Sequence, residues 1–531
     1  MLGLRNAPRR LFSSVSSTTP STGLVQRPYF DFKSLIARAA YIESNALARA
    51  VKCDIHHVIA LFREWTVAQG AVDALRTERN SLSKSGAGVD KTLLAIEGRA
   101  LRERLLRLTE VASVARDLLD AAAAALPSDS HPSSPIGSEV AAVEIGRIGV
   151  PREFIDFVPQ SHLTLGDRLG LFDWSGAAAA AGAGFASLSG DGVRLELAIV
   201  QWALARAAAA GFALRAPPDI ARLAVLEGCG FSPRNGGGAA SSQVYTLQDD
   251  GLALVGTSEV PLAALRAGTL LDTKEAEAGP SLFAGWGHCF RREAGGSGAA
   301  TRGLYRLHQF TKVELFVFVA PTATPPQENQ YIFPEIAAEL SKPHSAVRVA
   351  ALPQGGTMPC LASEAVFSRL VDFQASLIAE LGLAARVLDM PTEELGSPAY
   401  RKVDIETWMP GREVAAGGVR GSWGEVSSAS NCGDFQARRL GMRYRVSAKP
   451  GDVAFLHTLN ATAAAIPRLL LTILETHQTR DGDVELPACL APYLNGQRWL
   501  RVPPSRHNPT TITPFNGPAW GTMKSINENR I

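Results

Sequence analysis

Residues 287–314 read GHCFRREAGGSGAATRGLYRLHQFTKVE, and this stretch decides the fold. Cys289 and Phe290 end an apolar run that is typical of a strand. A loop rich in Gly, Ala and Ser follows at residues 294–303. The chain then enters a second run, in which apolar and polar residues alternate or cluster as far as Val317. The pattern predicts a long hairpin with a flexible tip.

Charged side chains crowd the inner ends of this predicted hairpin. A purely structural hairpin has little use for so many of them together, whereas a site that binds an anion does. Guanidinium groups bind phosphate oxygens through two parallel hydrogen bonds. The side chains concerned are Arg291, Glu293, Arg302, Arg306, His308, Lys312 and Glu314.

The run from Phe290 to Glu314 resembles motif 2 of the seryl-tRNA synthetases, which are class II aminoacyl-tRNA synthetases. The short pattern FRxE is shared by class II enzymes in general, but the continuation GLYRLHQFTKVE is close to diagnostic. The resemblance covers the chain from about Asp31 to Tyr493. It implies an α+β protein with an N-terminal antiparallel two-helix coiled coil and a class II catalytic domain, whose mixed, mostly antiparallel sheet is flanked by helices.

Composition places few limits on function. The chain has 531 residues, of which 46% are hydrophobic, so it can bury a large core in two or more domains. Its net charge of +2 is nearly neutral, so nucleic-acid binding cannot be inferred from the total charge. The six cysteines are scattered without a CxxC pair, which predicts reduced thiols, with neither disulfides nor zinc.

Residues 1–30 contain no Asp or Glu but include four Arg and many Ser and Thr. This composition is typical of a transit peptide, and the run RRLFSS at residues 9–14 resembles a mitochondrial processing site. We therefore predict a mitochondrial matrix protein. The alternatives are a cytoplasmic protein with a disordered tail and a wrongly assigned start codon. The apolar runs are too short to span a bilayer, so no membrane partner is expected.

Residues 31–126 are predicted to form a helical arm. After a short helical segment from Asp31, two long segments place apolar residues at alternating steps of three and four, as in a coiled coil. The turn Ser85–Gly88 separates them, with Asp90 as a helix N-cap, so the two helices should pack antiparallel. The seam residues are Val58, Leu61, Trp65, Ala68, Val72, Leu75 and Leu82 in the first helix and Leu101, Leu105, Leu108, Ala112, Ala115 and Leu119 in the second.

Alone, such a hairpin is most often a dimerisation or spacer element, and its basic residues are interleaved with acids as on an ordinary solvated face. The resemblance implies another role, because seryl-tRNA synthetases use this arm to grip the long variable arm of serine tRNA across a homodimer. Contacts of this kind go mainly to phosphates and to RNA shape. Residues 127–137, rich in Pro and Ser, are predicted to be a linker.

The predicted catalytic domain spans residues 138–493. Helical periodicity from Val193 to Phe212, followed by Pro218, resembles motif 1, the helix and strand that build the dimer interface in this family. Three further segments are predicted to be a surface loop, an insertion and a C-terminal extension, at residues 175–184, 321–359 and 494–531 respectively.

The run Gly256–Pro261 follows a short apolar segment. Hydroxyls and a carboxylate at the end of a buried strand can bind a small amino acid, although Thr or Ser followed by Glu is also common at a helix N-cap. The run matches the serine-binding TxE loop of the family. The resemblance implies that five residues surround L-serine: Thr257, Ser258, Glu259, Glu314 and Thr462.

Two later runs are equally specific, Glu425–Arg439 and His457–Arg468, and the second matches motif 3. The Glu425 carboxylate and the Ser428 hydroxyl are oxygen ligands of the kind that Mg²⁺ prefers, with nucleotide phosphates completing the shell. A surface hydrogen bond is the plain alternative for one such pair. Thr462 stands where many relatives have serine, and it keeps the hydroxyl while adding a methyl group.

The reaction implied by the resemblance has two steps. The serine carboxylate attacks the α-phosphate of ATP, which gives seryl-adenylate and pyrophosphate. The 3′-hydroxyl of the terminal adenosine of serine tRNA then takes the seryl group. Both steps depend on alignment and on neutralisation of charge on phosphate. The implied catalytic residues are Arg291 at the α-phosphate, Arg468 at the γ-phosphate and Glu425 through Mg²⁺.

The implied ATP site is wider, with Phe310 stacked on adenine and Glu293 near its amino group. Its residues are Arg291, Arg292, Glu293, Leu307, His308, Gln309, Phe310, Glu425, Val426, Ser427, Ser428 and Arg468. Two alternatives to this interpretation are a catalytically impaired paralogue that acts as a tRNA-binding dimer and a class II ligase for threonine or proline.

Overall fold

The computed structural model describes residues 27–84, 91–231, 243–248, 250–293, 302–321, 348–349, 361–413 and 420–504. Several predictions fall on other residues and lie outside this described part. They concern the transit peptide as far as Gln26, the Ser85–Gly88 turn, the Asp90 cap, the hairpin tip at 294–301, most of the 321–359 insertion and the C-terminal extension from residue 505.

Helices account for most of the N-terminal arm and cover the sheet of the catalytic domain. They are α1 (Phe32–Ala37), α2 (Ala39–Ala48), α3 (Ile55–Lys84), α4 (Lys91–Ala124), α5 (His162–Leu169), α6 (Trp174–Ala181), α7 (Asp191–Ala209), α8 (Leu223–Gly228), α9 (Glu259–Ala264), α10 (Thr273–Glu277), α11 (Leu361–Glu380), α12 (Phe435–Leu440) and α13 (Ile466–Thr476).

Strands occur only after the arm within the described residues. They are β1 (Val143–Ile148), β2 (Ala213–Arg215), β3 (Ile220–Arg222), β4 (Leu252–Leu254), β5 (Leu270–Leu271), β6 (Ser281–Phe290), β7 (Gln309–Val319), β8 (Arg348–Val349), β9 (Ala385–Asp389), β10 (Arg401–Glu413), β11 (Arg420–Asn431), β12 (Arg443–Arg445), β13 (Val453–Phe455), β14 (His457–Ala465), β15 (Val484–Glu485) and β16 (Trp499–Leu500).

One large sheet organises the catalytic part. Its nine strands run in the order β2-β6-β7-β14-β11-β10-β9-β1-β8. Only the β2–β6 pair is parallel among these described strands, and the other neighbours are antiparallel. The hairpin predicted around motif 2 is β6–β7, whose register runs from Ser281 opposite Phe318 to Phe290 opposite Gln309. The predicted α+β fold, with its mixed, mostly antiparallel sheet, is therefore confirmed.

Helices pack on both faces of this sheet. Because side chains alternate along a strand, Val313, Leu315 and Val317 of β7 join the main core with α7, α11 and α13, whereas Phe316 and Phe318 join a second core with α8, α9 and α12. Glu314 shares its face with Phe316. Polar residues on that face consequently lie beneath α9 and α12 rather than in the main core.

The arm consists of α3 and α4, 30 and 34 residues long. Trp65 of α3 lies 4.8 Å from the Arg116 guanidinium of α4, so the start of one helix meets the end of the other and the pair is antiparallel. Seam residues Val58 and Val72 are 2% and 1% exposed, and Leu119 of α4, in the same apolar cluster as Val58, is fully buried. The helical hairpin therefore buries the seam that the sequence pattern defines.

The predicted surface loop at residues 175–184 is wrong over most of its length. Residues Trp174–Ala181 form helix α6, and only the glycine-containing end leaves the helix. Alanine has the highest helix propensity, and the Asp173 carboxylate caps the helix by accepting a hydrogen bond from the Gly176 N–H. Compositional bias toward Ala and Gly was the misleading signal.

None of the helices within the described ranges combines the length and hydrophobicity that a bilayer crossing requires.

Candidate active site

A cleft of about 560 Å³, including its opening to solvent, lies where β6, β7, β11 and β14 meet the start of α13. The described residues that line it are Arg291, Glu293, Leu304, Tyr305, Arg306, Leu307, Phe310, Lys312, Glu425, Val426, Ser427, Ser428, Thr462, Ala465, Pro467 and Arg468. Residues more than 170 positions apart in the sequence, such as Arg291 and Arg468, thus share one cavity. The structure brings together all three residues that were predicted to be catalytic.

A β-bulge determines how β11 presents its side chains to the cleft. Ser428 pairs with Asp404 and Glu425 pairs with Glu406, while Val426 has no partner between them in the register. In a regular strand, residues three apart face opposite sides of the sheet. The extra residue resets the alternation, so Glu425 and Ser428 both face the cleft.

Arg468 lies in the first turn of α13, and the cleft walls hold its guanidinium from two sides. Its Nη1 donates to the Glu425 carbonyl at 2.8 Å and to Glu425 Oε2 at 3.1 Å. Its Nε donates to the Tyr305 carbonyl at 3.2 Å, and its guanidinium lies 4.7 Å from the centre of the Tyr305 ring. These contacts orient a cation at one end of the cleft before any ligand binds.

Glu425 is ionised at neutral pH. Desolvation by the surrounding protein would raise its pKa, but the charges of Arg468, Lys402 and Arg291 outweigh this effect and lower the pKa to about 2. An ionised carboxylate and a hydroxyl on the same face of a strand form a donor set that fits Mg²⁺. Because only these two side chains contribute oxygen ligands, the other positions would be left to phosphate and water.

At the opposite wall, the Arg291 guanidinium lies 5.3 Å from the centre of the Phe310 ring, and its Nε donates to the Gly256 carbonyl at 3.4 Å. Glu293 follows with a backbone φ of +39°. Residues other than glycine adopt this left-handed region rarely, and the strained ones cluster at functional sites. Its carboxylate pairs with Arg306 at 3.5 Å.

Buried polar side chains beneath α9 adjoin the cleft and form a cluster, which we name the polar pocket. Lys312 and Glu314 are 6% and 2% exposed, and their side chains form an ion pair of 2.5 Å. Thr462, opposite Glu314 on β14, donates its hydroxyl to Glu314 Oε2 at 3.3 Å. Phe310, Lys312 and Glu314 occupy alternate positions of β7, so one face of this strand joins the cleft to the polar pocket.

Glu259 also belongs to the polar pocket, near Glu314 and Lys312. Its Oε1 accepts from Gln436 Nε2 at 2.6 Å and from Asn460 Nδ2 at 3.0 Å. Burial raises the pKa of Glu259 to about 7, assisted by the nearby charge of Glu314 and opposed by the Gln436 hydrogen bond and by Lys312. The pocket therefore holds two buried carboxylates, of which Glu259 is close to its titration point at neutral pH.

Residues 257–259 also begin a helix, as the N-cap alternative predicted. Glu259 is the first residue of α9, and its N–H donates to the Thr257 hydroxyl at 3.3 Å. Ser258, at the N-cap position, makes no side-chain capping bond and is 1% exposed. These residues thus start a helix, and Glu259 also belongs to the polar pocket.

Three residues predicted to bind ATP are not among those that line the cleft. The Arg292 guanidinium lies 5.4 Å from the Tyr245 ring centre, on the outer side of the hairpin. His308 contacts the Arg291 carbonyl through Nδ1 at 2.9 Å and stacks on Phe185. Gln309 is exposed and pairs with the end of β6. His308 therefore contacts the backbone of Arg291 and not the cleft, whereas Arg292 and Gln309 are exposed to solvent.

Several residues of the site were given no individual role from the sequence. Lys312 was counted among the charged side chains of the hairpin, and its alternation with Phe310 and Glu314 along the predicted strand would have placed it beside Glu314. Gln436 and Asn460 lie within the runs that resemble the family, but nothing in their spacing indicates that both reach Glu259. The role of the Tyr305 carbonyl depends on backbone geometry, which side-chain patterns do not report.

The mostly antiparallel sheet and its arginine-lined cleft define a class II synthetase core. The family model described as the tRNA synthetase class II core domain (G, H, P, S and T) matches residues 245–477. A serine–tRNA ligase of Rhodopirellula baltica is 36% identical over 472 residues, which cover 87% of this chain and 98% of that protein. The chain belongs to the serine–tRNA ligase family.

Two further relatives bear on location and ligands. The mitochondrial serine–tRNA ligase of Saccharomyces cerevisiae is 38% identical over 342 residues, which cover 64% of this chain and 65% of the yeast protein. The crystal structure of seryl-tRNA synthetase from Pyrococcus horikoshii complexed with ATP superposes with a TM-score of 0.71 at 29% identity, covering 90% of this chain and all of that one.

Proposed function

We propose that this chain activates L-serine with ATP to form seryl-adenylate and transfers the seryl group to the 3′ end of serine tRNA. It is an aminoacyl-tRNA ligase with ATP as a substrate. The observation that carries the proposal is the single cleft in which Arg291, Arg468 and Glu425 converge beside a buried pocket that contains Glu259, Glu314 and Thr462. Nothing in the described site favours an impaired paralogue.

We assign the roles of individual residues from the resemblance to the family, and their common cleft supports the assignment. Arg291 contacts the α-phosphate and Arg468 the γ-phosphate, and adenine lies against Phe310. Mg²⁺ held by Glu425 and Ser428 would neutralise phosphate charge when bound. Two developing charges, on the attacked phosphate and on the leaving pyrophosphate, thus face fixed cations.

The serine pocket selects its substrate by hydrogen bonding. Glu259 pairs with the ammonium group, and Glu314 with Thr462 contacts the hydroxyl. Alanine has no hydroxyl to contact Glu314 and Thr462, so it should be a poor substrate. Serine-dependent ATP–pyrophosphate exchange, compared with exchange driven by threonine and proline, tests the assignment. Equal exchange with threonine or proline would contradict it.

The pKa of Glu259 leads to a pH prediction. Only the ionised carboxylate pairs with an ammonium, and with a pKa of about 7 its ionised fraction rises about tenfold between pH 6 and pH 8. The KM for serine in the exchange reaction should therefore fall about tenfold as pH rises over this range. Glu259→Gln should raise this KM and flatten its profile. A wild-type KM that is constant, or that rises with pH, would show that Glu259 does not bind the ammonium group.

The dimer remains part of the proposal. On α7, Val193 and Leu197 are 40% and 50% exposed, and Leu214 on β2 is 44% exposed. Strand β2 also forms one edge of the large sheet. Apolar side chains next to an open sheet edge support pairing of two copies through the helix and strand of motif 1. Sedimentation of the full chain would detect the dimer.

We also propose a mitochondrial location, with removal of an N-terminal transit peptide. The acid-free composition of residues 1–30 and the similarity to the yeast mitochondrial enzyme support it. Contacts of residues 27–30 favour cleavage before Arg27 rather than after Phe30. The Tyr29 N–H donates to the Arg438 carbonyl at 2.8 Å, and Phe30 is 6% exposed within the core at the base of the arm.

This placement can be tested with two truncations. A chain that starts at Arg27 should melt within about 2 °C of the full chain, because it keeps the buried Phe30. A chain that starts at Asp31 should melt several degrees lower, roughly the effect of losing 2–3 kcal/mol of aromatic burial in a large domain. Equal melting temperatures for the two truncations would leave no structural reason to place the cleavage site before Arg27.

A further inference from the structure

A buried histidine next to the cleft joins three segments that are distant in sequence. His162, the first residue of α5, is 7% exposed and is not among the residues that line the cleft. Its Nδ1 and its backbone N–H both lie 2.9 Å from Glu475 Oε1 near the end of α13. Its Nε2 lies 3.2 Å from the backbone N–H of Leu304.

These hydrogen-bond partners determine which imidazole nitrogen carries the proton. The Leu304 N–H can only donate, so Nε2 is the acceptor, and the proton on Nδ1 is donated to Glu475. Glu475 is fully buried, and its other oxygen accepts from the Gly411 N–H at 2.9 Å. A buried network with these bonds satisfied holds its members in one arrangement.

The Leu304 bond anchors a short turn, Gly303–Tyr305, at the point where the chain returns from the hairpin tip. Gly303 has a φ of +67°, and a Cβ atom there would lie 2.2 Å from His162 Nε2. The turn therefore packs directly on the imidazole edge. At its end, Tyr305 contributes the carbonyl and the ring that hold Arg468, with the Nε bond at 3.2 Å.

We propose that His162, oriented by Glu475, is a positioning residue for the triphosphate end of ATP. It fixes the Gly303–Tyr305 turn, and the turn fixes the direction of the Arg468 guanidinium. His162 contacts no substrate. The inference rests on the proposed role of Arg468 at the γ-phosphate, and it extends that role to a buried pair outside the cleft.

Two amide substitutions separate the two sides of the imidazole. The Asn side chain places its amide near the Nδ1 position, so His162→Asn keeps a donor for Glu475 and loses the acceptor for Leu304. The longer Gln side chain reaches the Nε2 position, so His162→Gln keeps an acceptor for Leu304. We expect His162→Asn to raise the KM for ATP in the exchange reaction about tenfold, the scale of one lost hydrogen bond, and His162→Gln to raise it less than about threefold.

The KM for serine provides the internal control. None of the hydrogen bonds given above for Glu259, Glu314 and Thr462 involves the Gly303–Tyr305 turn. This KM should change less than about twofold in both variants. His131→Asn is the matched external control, since His131 is 5% exposed and bonds within the linker to Ser133. It should lower the melting temperature and leave both KM values unchanged.

Gly303→Ala tests the same step with His162 intact, because the added methyl group pushes the turn away from the imidazole. It should reproduce the rise in the KM for ATP, and it carries the test if His162→Asn does not fold. Unchanged KM values for ATP in the folded His162→Asn and Gly303→Ala variants would overturn the inference and leave His162 as a packing residue. Arg468→Ala distinguishes the inference about His162 from the proposed function on which it rests. If Arg468→Ala also leaves the KM for ATP unchanged, the proposed role of Arg468 is itself wrong.

Discussion

Replacing Arg291 by alanine should lower serine-dependent ATP–pyrophosphate exchange by at least about a hundredfold, the scale expected for losing one preorganised charge contact in a transition state. The guanidinium is held against Phe310 and the Gly256 carbonyl, so its position is set before ATP binds. The loss should fall mainly on kcat, because charge on the attacked phosphate grows during the reaction. Exchange measured at saturating serine and ATP checks it.

The neighbouring Arg292 offers a matched control. It carries the same charge one residue later, yet its guanidinium lies over Tyr245 on the outer side of the hairpin. Arg292→Ala should change exchange by less than about threefold, as expected for an exposed charge. Arg291→Lys should fall between the two, because an ammonium keeps the charge but cannot form the two-pronged bond. Similar losses in Arg291→Ala and Arg292→Ala would refute the assignment of the α-phosphate contact to Arg291 alone.

These two arginines show which features of the site a sequence pattern predicts and which it does not. Motif 2 identifies a strand, a tip and a strand, and the hairpin follows because turn residues separate two apolar runs. Which of two adjacent arginines enters the cleft depends on the direction of the extended backbone just after the end of β6. Since successive side chains of an extended chain point to opposite sides, only one of the two can face the cavity.

The two predicted Mg²⁺ ligands illustrate a limit of a different kind. Glu425 and Ser428 are three residues apart, a spacing that places them on opposite faces of a regular strand. Their common orientation depends on the bulge at Val426, which the register of β10 and β11 reveals and the sequence alone does not. Family resemblance could name these ligands, but periodicity would have argued against them.

Buried networks are the least accessible to sequence reasoning. Glu259 depends on Gln436 and Asn460, and Arg468 depends on Tyr305, so each charged residue is oriented by groups from a different strand or helix. Such bonds arise from tertiary packing and carry no local period. Helix α6 is the converse case, in which local propensity was the better guide and compositional bias toward Ala and Gly misled.

Removing the distal part of the arm should separate the two steps of the reaction. Residues 67–114 can be replaced by a short Gly/Ser turn, because Trp65 and Arg116 are in contact across the two helices, with the guanidinium 4.8 Å from the centre of the indole ring. This cut preserves the arm base, the apolar cluster of Phe30, Phe32, Ile42, Ile55, Val58, Leu61, Leu119, Ala123 and Leu126. We expect exchange to stay within about twofold of the intact chain, since no cleft residue belongs to the arm.

Charging of serine tRNA, in contrast, should fall by at least roughly a hundredfold, because losing several phosphate contacts lowers affinity by orders of magnitude at physiological salt. A milder variant keeps the helices and removes only charge: Arg99, Arg102 and Arg107 of α4 are exposed, and their joint replacement by alanine should raise the KM for tRNA and weaken its dependence on salt. The two variants distinguish an arm that binds RNA from an arm that is only a spacer. A spacer would tolerate the charge removal, and charging that survives the deletion would show that the tRNA is held elsewhere.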